Sequence, residues 1–386
     1  MIEFLTAGES HGRCLIGILE GIPSGLMVIE NDINKELIRR QKGFGRGSRM
    51  EIEEDKVEIL SGVRWGKTLG SPIAILIQNK DWLNWEKTMS VSTDHSGSSS
   101  PITRPRPGHA DLSGVIKYGH KDIRDVLERS SARETAMRVA LGAIAKKLLA
   151  EFGIRIISHV IEIGGVKADI TNGLSLEEIE KNAEASDVRC ADSKATKRMI
   201  QKIKEIMDKG DSLGGIIEII ASRPPVGLGS YVQWNKRIDA RLTKAIMSIQ
   251  AIKGVEIGLG FQMADKYGSE VHDQIYYDGS RFYRKTNRGG GIEGGMTNGE
   301  DIILRAVMKP IPTLRKPLKS VDFITKETFE ATYERSDVCA VSSAGVVCEA
   351  MVALELANAI TEKFGEDSLE EMKRNYKGYI EYVKSL

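Results

Sequence analysis

Two long stretches with broad apolar faces set the strongest limit on how this chain can fold. From about Leu127 to Phe152, the residues Met137, Leu141, Ile144, Leu148 and Phe152 recur at three- and four-residue steps, and Gly153 supplies a stop. A second helix of this kind runs from about Ser343 to Phe364 and also ends in Phe-Gly. The uncharged run around it, Val338 to Ile360, is broken by Ser342, Ser343, Glu349 and Glu355, which makes it a buried helix rather than a membrane span. Helices apolar over most of their surface must be covered on more than one side. Short apolar runs are available to cover them, and strands are expected at 2–5, 14–20, 57–63, 72–78, 155–163, 215–222, 256–261 and 302–308. Further helices are expected from a cap at Asn31-Asp32 to Gln41, within 175–210, and over 237–249. Each long helix is associated with an Arg-Ser pair, Arg129-Ser130 and Arg335-Ser336, an echo that suggests a duplicated unit.

Charge narrows the function. Lys plus Arg total 55 against 54 acidic residues, so no global field exists to hold nucleic acid or an anionic membrane, and anions must be recognised by local clusters. The N-terminus lacks a basic segment followed by a long apolar run, so no secretory signal is expected. Four cysteines form no C-x-x-C and no metal spacing with the six histidines; reduced thiols in a cytoplasm, and no metal, are the simpler reading.

Four local clusters could carry chemistry. In Thr103-Arg-Pro-Arg-Pro-Gly-His-Ala-Asp111, Pro105 and Pro107 hold Arg104 and Arg106 on extended backbone, directly before His109. Forked cations beside a group that titrates near neutrality suit an anion that must gain or lose a proton, although a stiff surface loop would read the same way. Gly8-Glu-Ser-His-Gly12 places His11 between glycines that let backbone crowd a ligand, or simply form a turn. Arg39-Arg-Gln-Lys-Gly-Phe-Gly-Arg-Gly-Ser-Arg49 alternates cations with glycines and could close over a phosphate; it follows a helix, so it is not a dinucleotide fingerprint. Arg335-Ser-Asp-Val-Cys339 opens the last long helix, with Asp337 as either a cap or a base. Between the clusters, Lys80–Pro107 shows no apolar period and is expected to be a long mobile loop.

Taken together, Gly8-Glu-Ser-His-Gly12, Arg129-Ser-Ser-Ala-Arg-Glu-Thr135 and Arg335-Ser-Asp-Val-Cys339 with Glu349 downstream resemble the signature segments of the chorismate synthase family, in order and spacing. Arg39–Gly43, Thr103–Asp111, Gly290–Gly295 and Lys309–Thr313 extend the resemblance over essentially the whole chain. It implies an α+β fold, a β-α-β sandwich with helices packed between antiparallel sheets. It further implies a single domain over 1–386, with two pseudo-repeated halves meeting within 160–220, and a homotetramer. The implied reaction is a 1,4-anti elimination of phosphate from 5-enolpyruvylshikimate 3-phosphate to give chorismate. That reaction depends on reduced FMN without net redox change, and NADPH enters only as an external or intrinsic reductant.

The resemblance also implies roles. His11 would keep the reduced flavin correctly protonated, His109 would protonate the departing phosphate, and Asp337 would assist flavin N5 in removing the substrate proton. Arg40, Arg46 and Arg133 would grip phosphate and carboxylates, helped by Arg49, Arg106 and Arg335. Flavin contacts would fall on Arg129, Ser130, Ser131, Gln250, Ala251, Gly294, Lys309, Pro310, Ile311, Pro312, Thr313 and Arg335. Two departures from the family pattern stand out: Ala340-Val-Ser-Ser-Ala-Gly345 lacks the usual proline near Ser342, and in Arg288-Gly-Gly-Gly291 a glycine replaces a more usual residue. A flavin reductase using the same pocket is the competing reading. An RNA-binding arm at Arg39–Arg49 is disfavoured by the neutral charge and the lack of interleaved aromatics.

Overall fold

The computed structural model describes residues 1–46, 54–169, 173–316, 318–330 and 337–386. Among these, four antiparallel strands build one sheet: β1 (Glu3–Ala7), β2 (Cys14–Glu20), β3 (Val57–Ile59) and β4 (Ile73–Gln78), in the order β1-β2-β4-β3. Five more build a second: β5 (Ile156–Ile163), β6 (Val166–Lys167), β7 (Gly215–Ala221), β8 (Ile252–Ile257) and β9 (Ile302–Met308), in the order β8-β9-β7-β5-β6. A small outer hairpin pairs β10 (Lys319–Val321) with β11 (Thr328–Glu330). The principal helices are α1 (Glu30–Gln41), α2 (Asp111–Tyr118), α3 (Arg124–Ser130), α4 (Thr135–Ala150), α5 (Leu176–Ala185), α6 (Ser193–Asp208), α7 (Ile238–Met247), α8 (Val341–Phe364) and α9 (Leu369–Ser385).

The two apolar helices form the middle of the sandwich. Strand β2 turns Leu15, Gly17 and Leu19 inward and Ile16 and Ile18 outward, and α4 packs on its inner face. Gly17 is what allows this approach, because a Cβ there would stand 2.5 Å from Met137 Sδ. Helix α8 packs on β5 and β7 of the other sheet, and α4 and α8 pack on each other. At their crossing a Cβ on Gly142 would stand 2.4 Å from the Ala350 Cβ, so small side chains here set a close helix contact. Helix α8 is long and apolar enough to cross a membrane, yet its side chains are largely buried inside the protein.

One charged group sits in the middle of this apolar layer. Glu349 on α8 is fully buried and accepts from Arg39 on α1 (2.8 and 3.0 Å), Lys146 on α4 (2.8 Å), Arg189 (3.1 Å) and Ser158 on β5 (2.6 Å). Burial alone would raise its carboxyl, but the three cations outweigh that and hold it far below the usual carboxylate range. Glu349 thereby ties α1, α4, α8 and the second sheet together.

Local structure departs from the sequence reading in four places. The expected helix from Leu127 to Phe152 is two helices. Ser131 is extended (φ −61°, ψ 142°) and its hydroxyl accepts from the Arg133 N–H at 3.3 Å, so the backbone turns before α4 begins. Helix α1 starts at Glu30, ahead of the expected Asn31-Asp32 cap, without a side-chain cap. Strand β8 ends at Ile257 rather than running to Phe261, because Gly258 and Gly260 take left-handed conformations (φ 60° and 55°). The Lys80–Pro107 segment contains a helical turn, Trp82–Trp85, and a 3-10 turn, Thr93–His95. Its anchor is a tertiary aromatic contact that no local period could reveal.

Candidate active site

Three arginines expected to hold anions converge. Arg40, buried at the end of α1, donates to Thr135 Oγ1 (3.1 Å), Ala132 O (3.2 Å) and Asp55 Oδ2 (3.3 Å). Arg133 donates to the other Asp55 oxygen and, through Nε, to Asn79 Oδ1 at 3.0 Å. Arg46 pairs with Asp337 at 3.2 Å. Burial pushes the Arg40 guanidinium down to about 10; Asp55 and Asp337 oppose this, while Arg133 and Arg46 add repulsion. Among the described residues, three guanidiniums and two carboxylates thus meet in one cluster.

Asn79 joins this cluster to the first histidine. Its amide donates to Gly12 O (2.7 Å) and Glu9 O (3.0 Å), which fixes the glycine-flanked loop. Within that loop Ser10 donates to Ser131 Oγ at 3.1 Å. His11 Nδ1 lies 2.8 Å from Glu128 Oε1, and the other Glu128 oxygen accepts from the His11 backbone N–H at 2.7 Å. The imidazole stacks on Trp85 with centroids 4.0 Å apart, and Arg124 covers Trp85 in turn.

The second histidine sits in a parallel arrangement. His109 Nδ1 is 2.5 Å from Asp111 Oδ1, and Arg106 clamps the same carboxylate through Nε (2.9 Å) and Nη2 (3.1 Å). Burial would raise the Asp111 carboxyl, but His109 and Arg106 outweigh it and hold it well below the usual range. Outside, the β10–β11 hairpin grips the loop: Ser320 donates to Pro105 O (2.6 Å) and the Phe323 N–H to Thr103 O (3.0 Å). Helix α3 links the two histidines. Leu127 lines a cavity of about 210 Å³ with Arg106 and Asp111, and the next residue, Glu128, holds His11. A larger cavity of about 400 Å³ lies elsewhere, between α1, α4 and α5, and its Arg39 and Lys146 are already paired with Glu349.

The residues expected to touch flavin fall into connected pieces. The Lys309 N–H donates to Ala251 O at 2.9 Å and its ammonium to Gly108 O at 2.5 Å, so Gln250-Ala251, Lys309–Thr313 and the His109 loop are contiguous. Ala251 holds a left-handed conformation (φ 68°) to make this join, and Ser212 donates to Ile311 O at 2.7 Å. Gln250 donates to Glu134 Oε2 at 3.3 Å, while its Oε1 is buried without a partner. Arg129 is exposed and fixes the end of β1 through Thr6 O (2.7 Å) and Gly8 O (3.1 Å). Gly294 stands apart: its neighbour Gly295 accepts from Ile238 at the start of α7, while Gln250 follows the other end of that helix, roughly 15 Å away along the axis. Arg49 and Arg335 lie outside the described residues. The Ser342 departure touches the site's edge, since a Cβ on Gly43 would stand 3.2 Å from the Ser342 Cβ.

Sequence reading missed Asp55, Asn79, Trp85 and Glu128, and gave Asp111 no role. Only Asp111 and Glu128 carried a signal, lying within two residues of groups already singled out.

An anion site of converging arginines, two histidines each held by a buried carboxylate, and a polar wall with an orphaned amide oxygen define an enzyme that moves protons around a multiply anionic substrate. The comparisons with known proteins give the particular family. The family model for chorismate synthase matches residues 2–361. The chain is 58% identical to the chorismate synthase of Geobacter sulfurreducens over the full length of both, and 54% identical to that of Bacillus cytotoxicus, covering 99% of this chain and all of that one. A crystal structure of chorismate synthase superimposes with a TM-score of 0.81 at 44% identity, covering 100% of this chain and 99% of that one. The chain belongs to the chorismate synthase family. It is a lyase that eliminates phosphate from 5-enolpyruvylshikimate 3-phosphate to give chorismate, and the family requires reduced FMN.

Proposed function

We propose that the elimination runs with His11 beside the departing phosphate and His109 beside the flavin, the reverse of the roles carried over from sequence. The observation that carries this reading is a route of hydrogen bonds. The Gly12 and Glu9 carbonyls bind Asn79, Asn79 binds Arg133, and Arg133 shares Asp55 with Arg40. His11 therefore belongs to the anion wall. His109 follows Gly108, whose carbonyl takes the Lys309 ammonium, and belongs to the flavin wall.

Arg40, Arg46 and Arg133 neutralise the phosphate and carboxylates. As the carbon–oxygen bond to phosphate breaks, negative charge grows on the leaving oxygens, and the Nε2 proton of the His11 imidazolium meets it, leaving the neutral ring with its hydrogen on Nδ1. Asp337, paired with Arg46, is the carboxylate assigned to take the ring proton. Arg106 holds Asp111 rather than substrate. The unpartnered Gln250 oxygen fits the N–H edge of an isoalloxazine ring, so Gln250, Ala251, Arg129, Ser130, Ser131 and Lys309–Thr313 would hold the flavin. When bound, reduced FMN supplies electron density to the electron-poor centre formed as phosphate leaves. NADPH is in this reading only the reductant that regenerates the flavin.

Leu5, Ile16 and Ile18 lie exposed on the outer face of β1 and β2, a surface that supports self-association and hence a homotetramer. The described cysteines Cys14, Cys190, Cys339 and Cys348 are all free, which supports a reducing compartment such as the cytoplasm.

Anaerobic assays with chemically reduced FMN test the roles. Both His11→Ala and His109→Ala should lose at least about 100-fold in kcat. Only His109→Ala should change the absorption spectrum of bound reduced FMN. A change confined to His11→Ala would restore the opposite assignment.

A further inference from the structure

We propose that Glu128 and Asp111 are positioning residues that fix the tautomer of the two histidines, so that both present Nε2 to the ligands. The proposal rests on the assignment of His11 and His109 above and adds how their protons are aimed. Both carboxylates are almost wholly buried, with side chains 2% and 1% exposed. Each meets its histidine at Nδ1, at 2.8 Å for Glu128 and 2.5 Å for Asp111. An ionised carboxylate can only accept, so Nδ1 carries a hydrogen in the neutral ring and in the imidazolium alike, and Nε2 is the nitrogen that gains and gives up the proton. At His109, Arg106 Nη2 also lies 3.2 Å from Nδ1 and 3.5 Å from Nε2, so the 2.5 Å contact with Asp111 decides which nitrogen is held.

Each pair is held in place by further contacts. The second Glu128 oxygen is occupied by the His11 backbone N–H, and Trp85 lies flat on the imidazole face with planes 23° apart. Asp111 is locked by the Arg106 fork and by the Arg106 backbone N–H at 3.0 Å. The two pairs are built from different parts of the chain, a glycine loop with α3 and a proline loop with α2. Local sequence similarity therefore does not explain their common geometry.

Glutamine at 128 keeps the size and the acceptor for the His11 backbone N–H, but turns a donor toward Nδ1 and so selects the opposite tautomer. Solid-state 15N NMR of histidine-labelled, FMN-loaded enzyme reads the tautomer directly, with His11→Ala and His109→Ala spectra assigning the two rings. In the wild type both Nδ1 atoms should be protonated, a result that does not depend on any variant folding. In Glu128→Gln the His11 Nδ1 should lose its proton, and kcat should fall about 100-fold with KM within threefold. Asp111→Asn should do the same to His109. A bare Nδ1 at either histidine in the wild type would overturn the proposal, as would a folded Glu128→Gln enzyme with wild-type kcat. Full turnover by His11→Ala would instead remove the reading on which it rests.

Discussion

Asn79→Ala separates the account from a looser one in which the histidine loop and the arginines merely lie near each other. The side chain makes three buried contacts: it donates to Gly12 O and Glu9 O and accepts from Arg133 Nε. A hydrogen bond to a charged group contributes about 1.5–3 kcal/mol and a neutral one about 0.5–1.5, so the three together are worth about 2.5–6 kcal/mol. Alanine takes the Asn79 bond from the Gly12 carbonyl and the Arg133 Nε–H and leaves the Glu9 carbonyl with the Gly12 N–H at 3.3 Å, in a site that is 4% exposed at Asn79, so compensation by solvent is small. If only the lower figure reached the transition state, kcat/KM would fall about 70-fold. Initial rates of chorismate formation under anaerobic conditions measure this, with thermal unfolding of the same samples reporting the share lost from stability. Unchanged melting together with kcat/KM within threefold of wild type would refute the coupling.

Three further outcomes follow from the same structure. Glu349→Gln leaves Arg39, Lys146 and Arg189 around a neutral group, with only Glu36 and Glu184 among the described residues to pair the three cations, and should destabilise the fold by about 3–5 kcal/mol, measured by urea unfolding. Because the Glu349 carboxyl is depressed in the fold, the wild type's advantage should be complete above its ordinary value of 4.5 and shrink as pH falls below it. Trp85→Ala removes the stacked face over His11, a contact worth about 0.5–1.5 kcal/mol, and should lower kcat roughly 2- to 10-fold without changing the melting temperature appreciably. Substrate-free oxidation of NADPH with added FMN should stay at the level of a no-enzyme control, since the chain acts as a lyase; sustained oxidation would favour a flavin reductase using the same pocket.

The sandwich was legible because its central helices had no other option. The periodic Met137, Leu141, Ile144 and Leu148, and the uncharged run of α8, could only be buried on several sides. The break at Ser131 was hidden, since a serine that turns the backbone reads like one that lets helices pack. Arg40, Arg133, His11 and His109 were visible as cations and imidazoles among glycines and prolines. Their supports were not. Asp55 stands in an acidic run before Lys56, and Asn79 follows a strand, so both read as ordinary surface residues until the fold buries Asp55 between Arg40 and Arg133 and Asn79 against Arg133. Trp85 lay in a segment without any period because its partner, His11, is more than seventy positions away. The exchange of histidine roles proposed above rests on contacts of the same kind: Asn79 and Lys309 tie the two loops to their walls at long range.

The central claim is the redox-neutral elimination itself. Incubating the chain anaerobically with chemically reduced FMN and 5-enolpyruvylshikimate 3-phosphate should release phosphate and chorismate in equal amounts over many turnovers, while the flavin ends as reduced as it began. Failure to form chorismate, or oxidation of one flavin for each product made, would contradict the account.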